Sequence, residues 1–347
     1  MTSGDQAGAA RGRVSSAAAA DSGPVRVGAV DCGTNSIRLL VAEGVPGRPG
    51  LTDVTREMRI IRLGEGVDAT GRISDGAISR ARTALTDYTA TMADLGVRSV
   101  RMVATSATRD AANKAEFFDM TADVLGEHFP GAAAEVISGQ TEAQLTFAGG
   151  VVDLDPRQGP FVVADLGGGS TEIVVGEYDD DGELRVLGAQ SLDIGCVRIT
   201  ERTLHSDPPT AGEVSEARRV IAEALGTASG LPLGRARRFV GVAGTFTTLS
   251  AVAQGMATYD SAALHNSVIS VGQMREVCDR LVASTVTERR GLGPMHPGRA
   301  DVIGGGALVA SALCDVMSDR AGITDITVSE KDILDGIAMS VLTRLAG

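Results

Sequence analysis

Phe161-Val162-Val163-Ala164-Asp165-Leu166-Gly167-Gly168-Gly169-Ser170-Thr171-Glu172-Ile173-Val174-Val175-Gly176 decides the fold of this 347-residue chain. Four apolar residues run into one Asp, three glycines and a Ser, and a second apolar run leaves. The pattern reads as strand, tight turn, strand. Three successive glycines allow a close backbone approach that side chains would block. The same pattern stands 134 positions earlier: Val25, Val27 and Ala29 lead into Asp31-Cys32-Gly33-Thr34-Asn35-Ser36, and Ile37 to Ala42 resume the apolar run. Both turns spell Asp-x-Gly-x-x-Ser, which we read as an internal repeat. Such a turn can aim backbone N–H groups at a phosphate while its carboxylate holds a metal or a water. Taken singly, each turn is equally an ordinary hairpin with a solvated Asp. The repetition favours two turns gripping one polyanion.

Outward from the first turn, Arg56 to Gly66 reads as a further strand. A helix follows, capped by Ser74 or Asp75, with Ile78, Ala81, Leu85, Tyr88 and Met92 at three- and four-residue steps and Gly96 where it stops. Val97 to Ala104 is a strand, the polar stretch Thr105 to Asp110 opens a helix through Phe117, Phe118 and Val124, and strand then helix recur at Ala134 to Ile137 and Gln140 to Phe147. Beyond the second turn, Leu184 to Leu192 reads as a strand pair, and Thr210-Ala211-Gly212-Glu213 as a capping box. Arg238 to Ala243 is a strand that enters Gly244-Thr245 and a helix, Phe246 to Gln254. This is a third anion candidate, because a first helical turn offers free N–H donors and the positive end of the helix dipole. Helices at Val271 to Ser284 and Gly304 to Met317, a strand at Ile326 to Val328 and a helix over Ile333 to Leu345 close the chain.

The composition excludes several classes of function. With 32 basic and 44 acidic residues the net charge is -12, which argues against broad nucleic-acid binding or an anionic membrane surface; any anionic ligand must be held locally. Cys32, Cys196, Cys278 and Cys314 lie far apart without metal spacing, so reduced, buried thiols and a cytoplasmic protein are expected. No apolar run approaches the roughly 18 residues of a membrane span. His128, His205, His265 and His296 form no metal spacing either. Met1 to Pro24 lacks a cationic end followed by an apolar block and reads as a disordered tail rather than a signal peptide.

Strand, Asp-x-Gly turn, strand, repeated in two lobes, resembles the actin, sugar-kinase and heat-shock-chaperone superfamily. Finer motifs narrow the resemblance: Asp31 to Leu39, Ala104 to Asp110, Ser138-Gly139 through Glu142-Ala143, Asp165 to Glu172 and Arg299 to Ile303. In that order they resemble the exopolyphosphatase and guanosine pentaphosphate phosphohydrolase (Ppx/GppA) family over nearly everything after Val25. The fold implied is α/β, two ribonuclease-H-like lobes of the actin-like ATPase superfamily with an active-site cleft between them. We expect a tail over 1–24, a first lobe over 25–148, a second over 149–330, and a last helix, about 331–347, packing back on the first lobe.

The resemblance also implies roles. Glu142 is the general base on the attacking water, and Arg109 reaches the terminal phosphate. Asp165 and Glu172 hold Mg²⁺ or Mn²⁺, with help from Asp31. Asp31, Gly33, Thr34, Asn35 and Ser36 on one turn, Gly167, Gly168, Gly169 and Ser170 on the other, and Gly244 and Thr245 bind phosphate. A homodimer is a family-level expectation. Three features depart from the family pattern. Thr141-Glu142 stands where many relatives carry two glutamates, Leu334-Asp335-Gly336 stands for Arg-Glu-Gly, and the chain ends at Gly347 where longer members add a helical region. We therefore expect action on short inorganic polyphosphate, with guanosine pentaphosphate a close alternative. Since the chain as a whole is acidic, Arg62, Arg198, Arg202 and Lys331 are candidates for a local basic strip. Readings of another class are a phosphotransferase, for which no acceptor motif, Walker sequence or GxGxxG is present, and a non-catalytic polyphosphate or alarmone sensor.

Overall fold

The computed structural model describes residues 23–48, 50–105, 108–109, 111–180 and 182–346. Most of the expected tail, together with Ser106, Ala107 and Asp110 of the Thr105–Asp110 stretch, lies outside the described residues. Two sheets carry the fold. The first runs in the order β3 (Thr52–Ile60), β2 (Ser36–Gly44), β1 (Val25–Cys32), β4 (Ser99–Ala104), β5 (Ala134–Val136). The second runs β10 (Ser267–Ser270), β11 (Asp325–Val328), β9 (Arg238–Val242), β6 (Phe161–Leu166), β7 (Thr171–Tyr178), β8 (Leu184–Leu192). In both, a three-stranded antiparallel meander continues into parallel strands, so β1–β5 of the first lobe correspond to β6–β9 and β11 of the second. The sequence repeat is thus a repeat of topology. Leu184 to Leu192, read as a strand pair, is one strand, and the short edge strand β10 carries no pattern long enough to be seen in the sequence.

Among the described residues, nine helices have eight or more residues: α1 (Asp75–Asp94), α2 (Lys114–Gly126), α3 (Gly139–Val151), α4 (Cys196–Thr203), α5 (Ala211–Thr227), α6 (Ala243–Ala253), α7 (Val271–Ala283), α8 (Ile303–Ala321) and α9 (Ile333–Ala346). Several begin on local signals. Ser74 Oγ accepts from Ala77 N, and Thr210 with Glu213 closes a capping box. None of the described helices is long and apolar enough to cross a membrane, and all four cysteines are buried and unpaired.

Each sheet buries its outer face in its own core, Leu39, Leu85, Phe117 and neighbours in the first lobe and Phe239, Phe246, Leu313 and neighbours in the second. The inner faces are covered by two helices that cross each other. α3, counted with the first lobe in the sequence, lays Ala143, Phe147 and Val151 on Val163, Val174 and Val240 of the second sheet. α9 lays Ile337, Ala338 and Val341 on Val27, Leu40 and Val103 of the first. They meet at glycines: a Cβ on Gly149 would collide with the carbonyl of Asp332, and one on Gly336 with that of Leu145. This crossing seats the first turn of α3, and with it Glu142, between the lobes.

Candidate active site

The two glycine turns are built alike. Gly33 N donates to Ser36 O at 2.9 Å and Gly167 N to Ser170 O at 3.1 Å. The strands that leave them pair in the same register, Asp31 opposite Arg38 and Asp165 opposite Glu172. The second turn is fastened from behind: the first turn of α4 donates Cys196 N to Gly167 O and Val197 N and Arg198 N to Gly168 O. With Gly167 N bound to Ser170 O, the amides of Gly168, Gly169 and Ser170 have no backbone partner among the described residues. The turns face each other closely, since a Cβ on Gly168 would lie 2.9 Å from Thr34 Cβ.

Between them lies a cleft of about 750 Å³. Asp31, Gly33, Thr34, Asn35, Ser36, Glu142, Asp165, Gly167, Gly168, Ser170, Glu172, Gly244 and Thr245, all named from the sequence, line it. Gly169 does not; it turns to a smaller cavity beside Gly64, Asp68 and Arg198, because one residue of a tight turn must point away from the others. The N-terminus of α6 opens on the cleft without a side-chain cap, and Ala243, at φ 68°, holds a left-handed conformation that Cβ disfavours. The uncapped helix start at Gly244 and Thr245 presents to the cleft the kind of donors that suit an anion.

Four buried carboxyls crowd this space. Glu142, in the first turn of α3 behind the Ser138 N-cap, is pushed up to about 7 by burial and by Asp31, against the opposing pull of Arg109. Asp165 is pushed up to about 8 by burial and by Asp332, Glu142 and Asp31. Burial, Glu142 and Asp165 raise Glu172 well above its ordinary range, although Ser191 Oγ donates to it at 2.7 Å. Burial also raises Asp31, whose Oδ1 is buried without a hydrogen-bond partner. Crowded acids that resist ionisation, with an orphaned oxygen among them, are what a bound cation would relieve. The donors are hard oxygens that suit Mg²⁺ or Mn²⁺. Among the described residues no three His, Cys, Asp or Glu side chains close a compact cage, so the protein's share of such a shell would be partial.

The cations differ from expectation. Arg109 Nη1 donates to Glu142 Oε2 at 2.6 Å and to Ile137 O at 3.3 Å; it holds the acid rather than standing on the cleft wall. None of the four residues expected to form a basic strip lines the cleft. Arg62 pairs with Asp301 at 2.8 Å, Arg198 with Asp68 at 3.2 Å, Arg202 with Asp68, and Lys331 with Asp153 at 2.8 Å. Their partners stand far away in the chain, so only the fold brings them together. The cleft instead takes Arg38 and Arg299, which the sequence reading left without a role. Arg299 Nη1 donates to Gly244 O and Thr248 Oγ1, both at 3.2 Å, and no carboxylate pairs with it among the described residues. A Cβ on Gly244 would overlap its guanidinium. Arg38 was within reach of the sequence: aligned on the repeat, it occupies the place of Glu172.

One lobe repeated, with an Asp-x-Gly turn on each copy and a shielded acid where the copies meet, defines a two-lobed actin-like fold with an acidic cleft. Within that class the relatives agree. The Ppx/GppA phosphatase family profile matches residues 40–341, and the chain belongs to this family. It is 58% identical over 319 residues, 91% of this chain and 98% of the relative, to Exopolyphosphatase 2 of Mycobacterium tuberculosis. It is 28% identical to a guanosine-5'-triphosphate,3'-diphosphate pyrophosphatase of Aeromonas salmonicida, over 90% of this chain but 59% of that protein. A crystal structure described as an exopolyphosphatase-like protein superimposes with a TM-score of 0.86 at 39% identity, covering 92% of this chain and all of that one.

Proposed function

We propose that this protein is an exopolyphosphatase, hydrolysing the terminal phosphoanhydride of inorganic polyphosphate with a divalent metal and releasing orthophosphate. The observation that carries this reading is Glu142: a nearly buried acid, poised near 7 and aimed by an arginine, between two facing phosphate turns. The long coverage of the mycobacterial exopolyphosphatase supports the same substrate class.

Phosphoanhydride hydrolysis asks for a positioned water, neutralised oxygens and in-line geometry rather than a nucleophilic side chain. Glu142 orients the water and takes its proton at the carboxylate. Arg109 fixes the carboxylate's direction and keeps it ionisable. The amides of both turns and of the α6 N-terminus, with Arg299, balance charge on the phosphate oxygens. Asp165 and Glu172, faced by Asp31, would hold Mg²⁺ or Mn²⁺, which supplies further charge neutralisation at the phosphate. All four expected strip cations are already paired with carboxylates, which weakens their hold on a long polyanion and favours short chains.

The test is phosphate release from short polyphosphate, long polyphosphate, ATP and guanosine pentaphosphate, with Mg²⁺ and with a chelator. Release from short polyphosphate that the chelator abolishes is expected. Activity rising steadily toward polymers hundreds of units long would overturn the chain-length preference, binding without release would mean a sensor, and transfer only to an added acceptor a phosphotransferase. The nucleotide reading has one observation of its own. A pocket of about 1000 Å³ adjoins the cleft at Arg38, Gly244 and Arg299 and offers Tyr259, Met58, Met295 and Leu334 as walls for a base. Preference for guanosine pentaphosphate in the assay would select it and leave the mechanism in place.

The acid limb of the pH profile is a further expected result. The base acts only when ionised, so kcat/KM should rise about tenfold per pH unit below an apparent pKa near 7 and level off above it. Arg109→Met removes the charge that opposes burial and should move the limb upward. An unchanged limb in that variant would separate Arg109 from Glu142. In metal-free protein, Mg²⁺ should raise Tm, by the equivalent of about 2.7 kcal/mol at a hundredfold excess over Kd. Asp165→Asn should remove that rise, and an equal rise in the variant would place the metal elsewhere.

A further inference from the structure

Arg38 lines both the cleft and the neighbouring pocket, yet its guanidinium is held by two carboxylates from different parts of the fold. Asp31, its cross-strand partner, accepts from Nε at 3.1 Å and from Nη2 at 2.7 Å. Asp332, on the segment that carries the chain from β11 to α9, takes Nη1. Asp332 is itself locked. Its Oδ1 accepts from Leu334 N at 3.0 Å, capping α9, and its own amide donates to Asp335 Oδ2 at 3.0 Å. Asp335 is fixed in turn by Arg56 Nη2 at 2.7 Å, and both aspartates are buried. A buried anion preorganised on one end of a cation is a strong competitor for any other anion approaching it. The register of the repeat sharpens the point: where the second lobe puts the acid Glu172 beside its turn, the first lobe puts a base, Arg38, already engaged.

We propose that Asp332 is a positioning residue that competes with bound phosphate for Arg38 and thereby sets how weakly the cleft holds polyphosphate and the orthophosphate it releases. The inference rests on reading the cleft as a phosphate site. A hydrolase that must release one phosphate and rebind a shortened chain gains turnover from such a competitor, since an unopposed buried guanidinium would retain its product.

The experiment separates cap from competitor. Asp332→Asn keeps an oxygen for Leu334 N and breaks the ion pair, whereas Asp332→Ala loses both. In both variants KM for short polyphosphate and the inhibition constant for orthophosphate should fall about three- to tenfold. kcat should fall a few-fold as orthophosphate leaves more slowly, and Tm should drop clearly only in Asp332→Ala. Asp335→Asn removes a neighbouring buried charge that touches Arg56 and not Arg38, and should leave both constants near wild type. Constants unchanged or raised in Asp332→Asn, or lowered equally in Asp335→Asn, would overturn the proposal, the latter by reducing it to the general field of the acids. Orthophosphate binding measured by calorimetry reads the same comparison without turnover. A wild-type protein that releases no phosphate but binds it more weakly than Asp332→Asn would therefore sink the hydrolase reading and leave Asp332 standing.

Discussion

Glu142→Gln is expected to lower kcat by about 10²- to 10⁴-fold, the range a positioned general base supplies, with KM little changed. Gln keeps the shape and can still accept from Arg109, so the loss reports proton transfer rather than collapse. Stability should move the other way. The folded carboxyl sits near 7 against an unfolded value near 4.5, so its contribution to stability is fully present below about 4.5 and is lost as pH rises through 7. At pH 8 wild type must keep an ionised carboxylate in a buried site, and Gln removes that cost. The variant should therefore be at least as stable as wild type at pH 8 and lose that advantage toward pH 5. Steady-state kinetics beside thermal melts at the two pH values check both statements. A rate within twofold of wild type would refute the base assignment, and a lower Tm at pH 8 would refute the burial argument.

Gly336→Ala should destabilise the protein by at least about 3 kcal/mol or prevent folding, far more than the gain of about 1 kcal/mol that Ala brings to an unencumbered helical site. The added Cβ meets the backbone carbonyl of Leu145, and a carbonyl in the middle of α3 cannot step aside as a side chain can. Gly149→Ala presses on the carbonyl of Asp332 from the other helix and should behave alike. Gly226→Ala is the control: it lies in α5 with nothing within 4 Å of a built Cβ and should stabilise by a few tenths to about 1 kcal/mol. Urea unfolding of the three variants decides the matter. A cost below 1 kcal/mol at Gly336 would mean that α3 and α9 do not cross as closely as described. Residual folded Gly336→Ala should also lose activity, because α3 carries Glu142 and α9 follows directly on Asp332.

What was legible in the sequence is local. The Asp-x-Gly-x-x-Ser turns are written in adjacent residues, and so are the caps at Ser74 and Thr210, whose partners lie three positions away. The repeat, read at 134 positions' distance, carried the two-lobed architecture, because one turn chemistry bounded by strands specifies one kind of strand pair wherever it occurs. Ten of the residues named for phosphate or metal chemistry line one cleft for that reason, while Glu142, Gly244 and Thr245 reach it on other elements. What the sequence left open depends on partners far apart in the chain. Arg62, Arg198, Arg202 and Lys331 look like free cations until folding delivers Asp301, Asp68 and Asp153 to them. Arg299 stands in a recognised motif, but its place on the cleft comes only when Gly244 gives it a bed. The need for glycine at 149 and 336 has no trace in the periodicity of either helix, since it comes from the helix crossing over it. The sequence by itself determined the turns, their repetition and the chemical types they carry. Only the tertiary structure decided which charges are spent, which acids resist ionisation and where Glu142 stands, because burial and long-range pairing are properties of the packed chain.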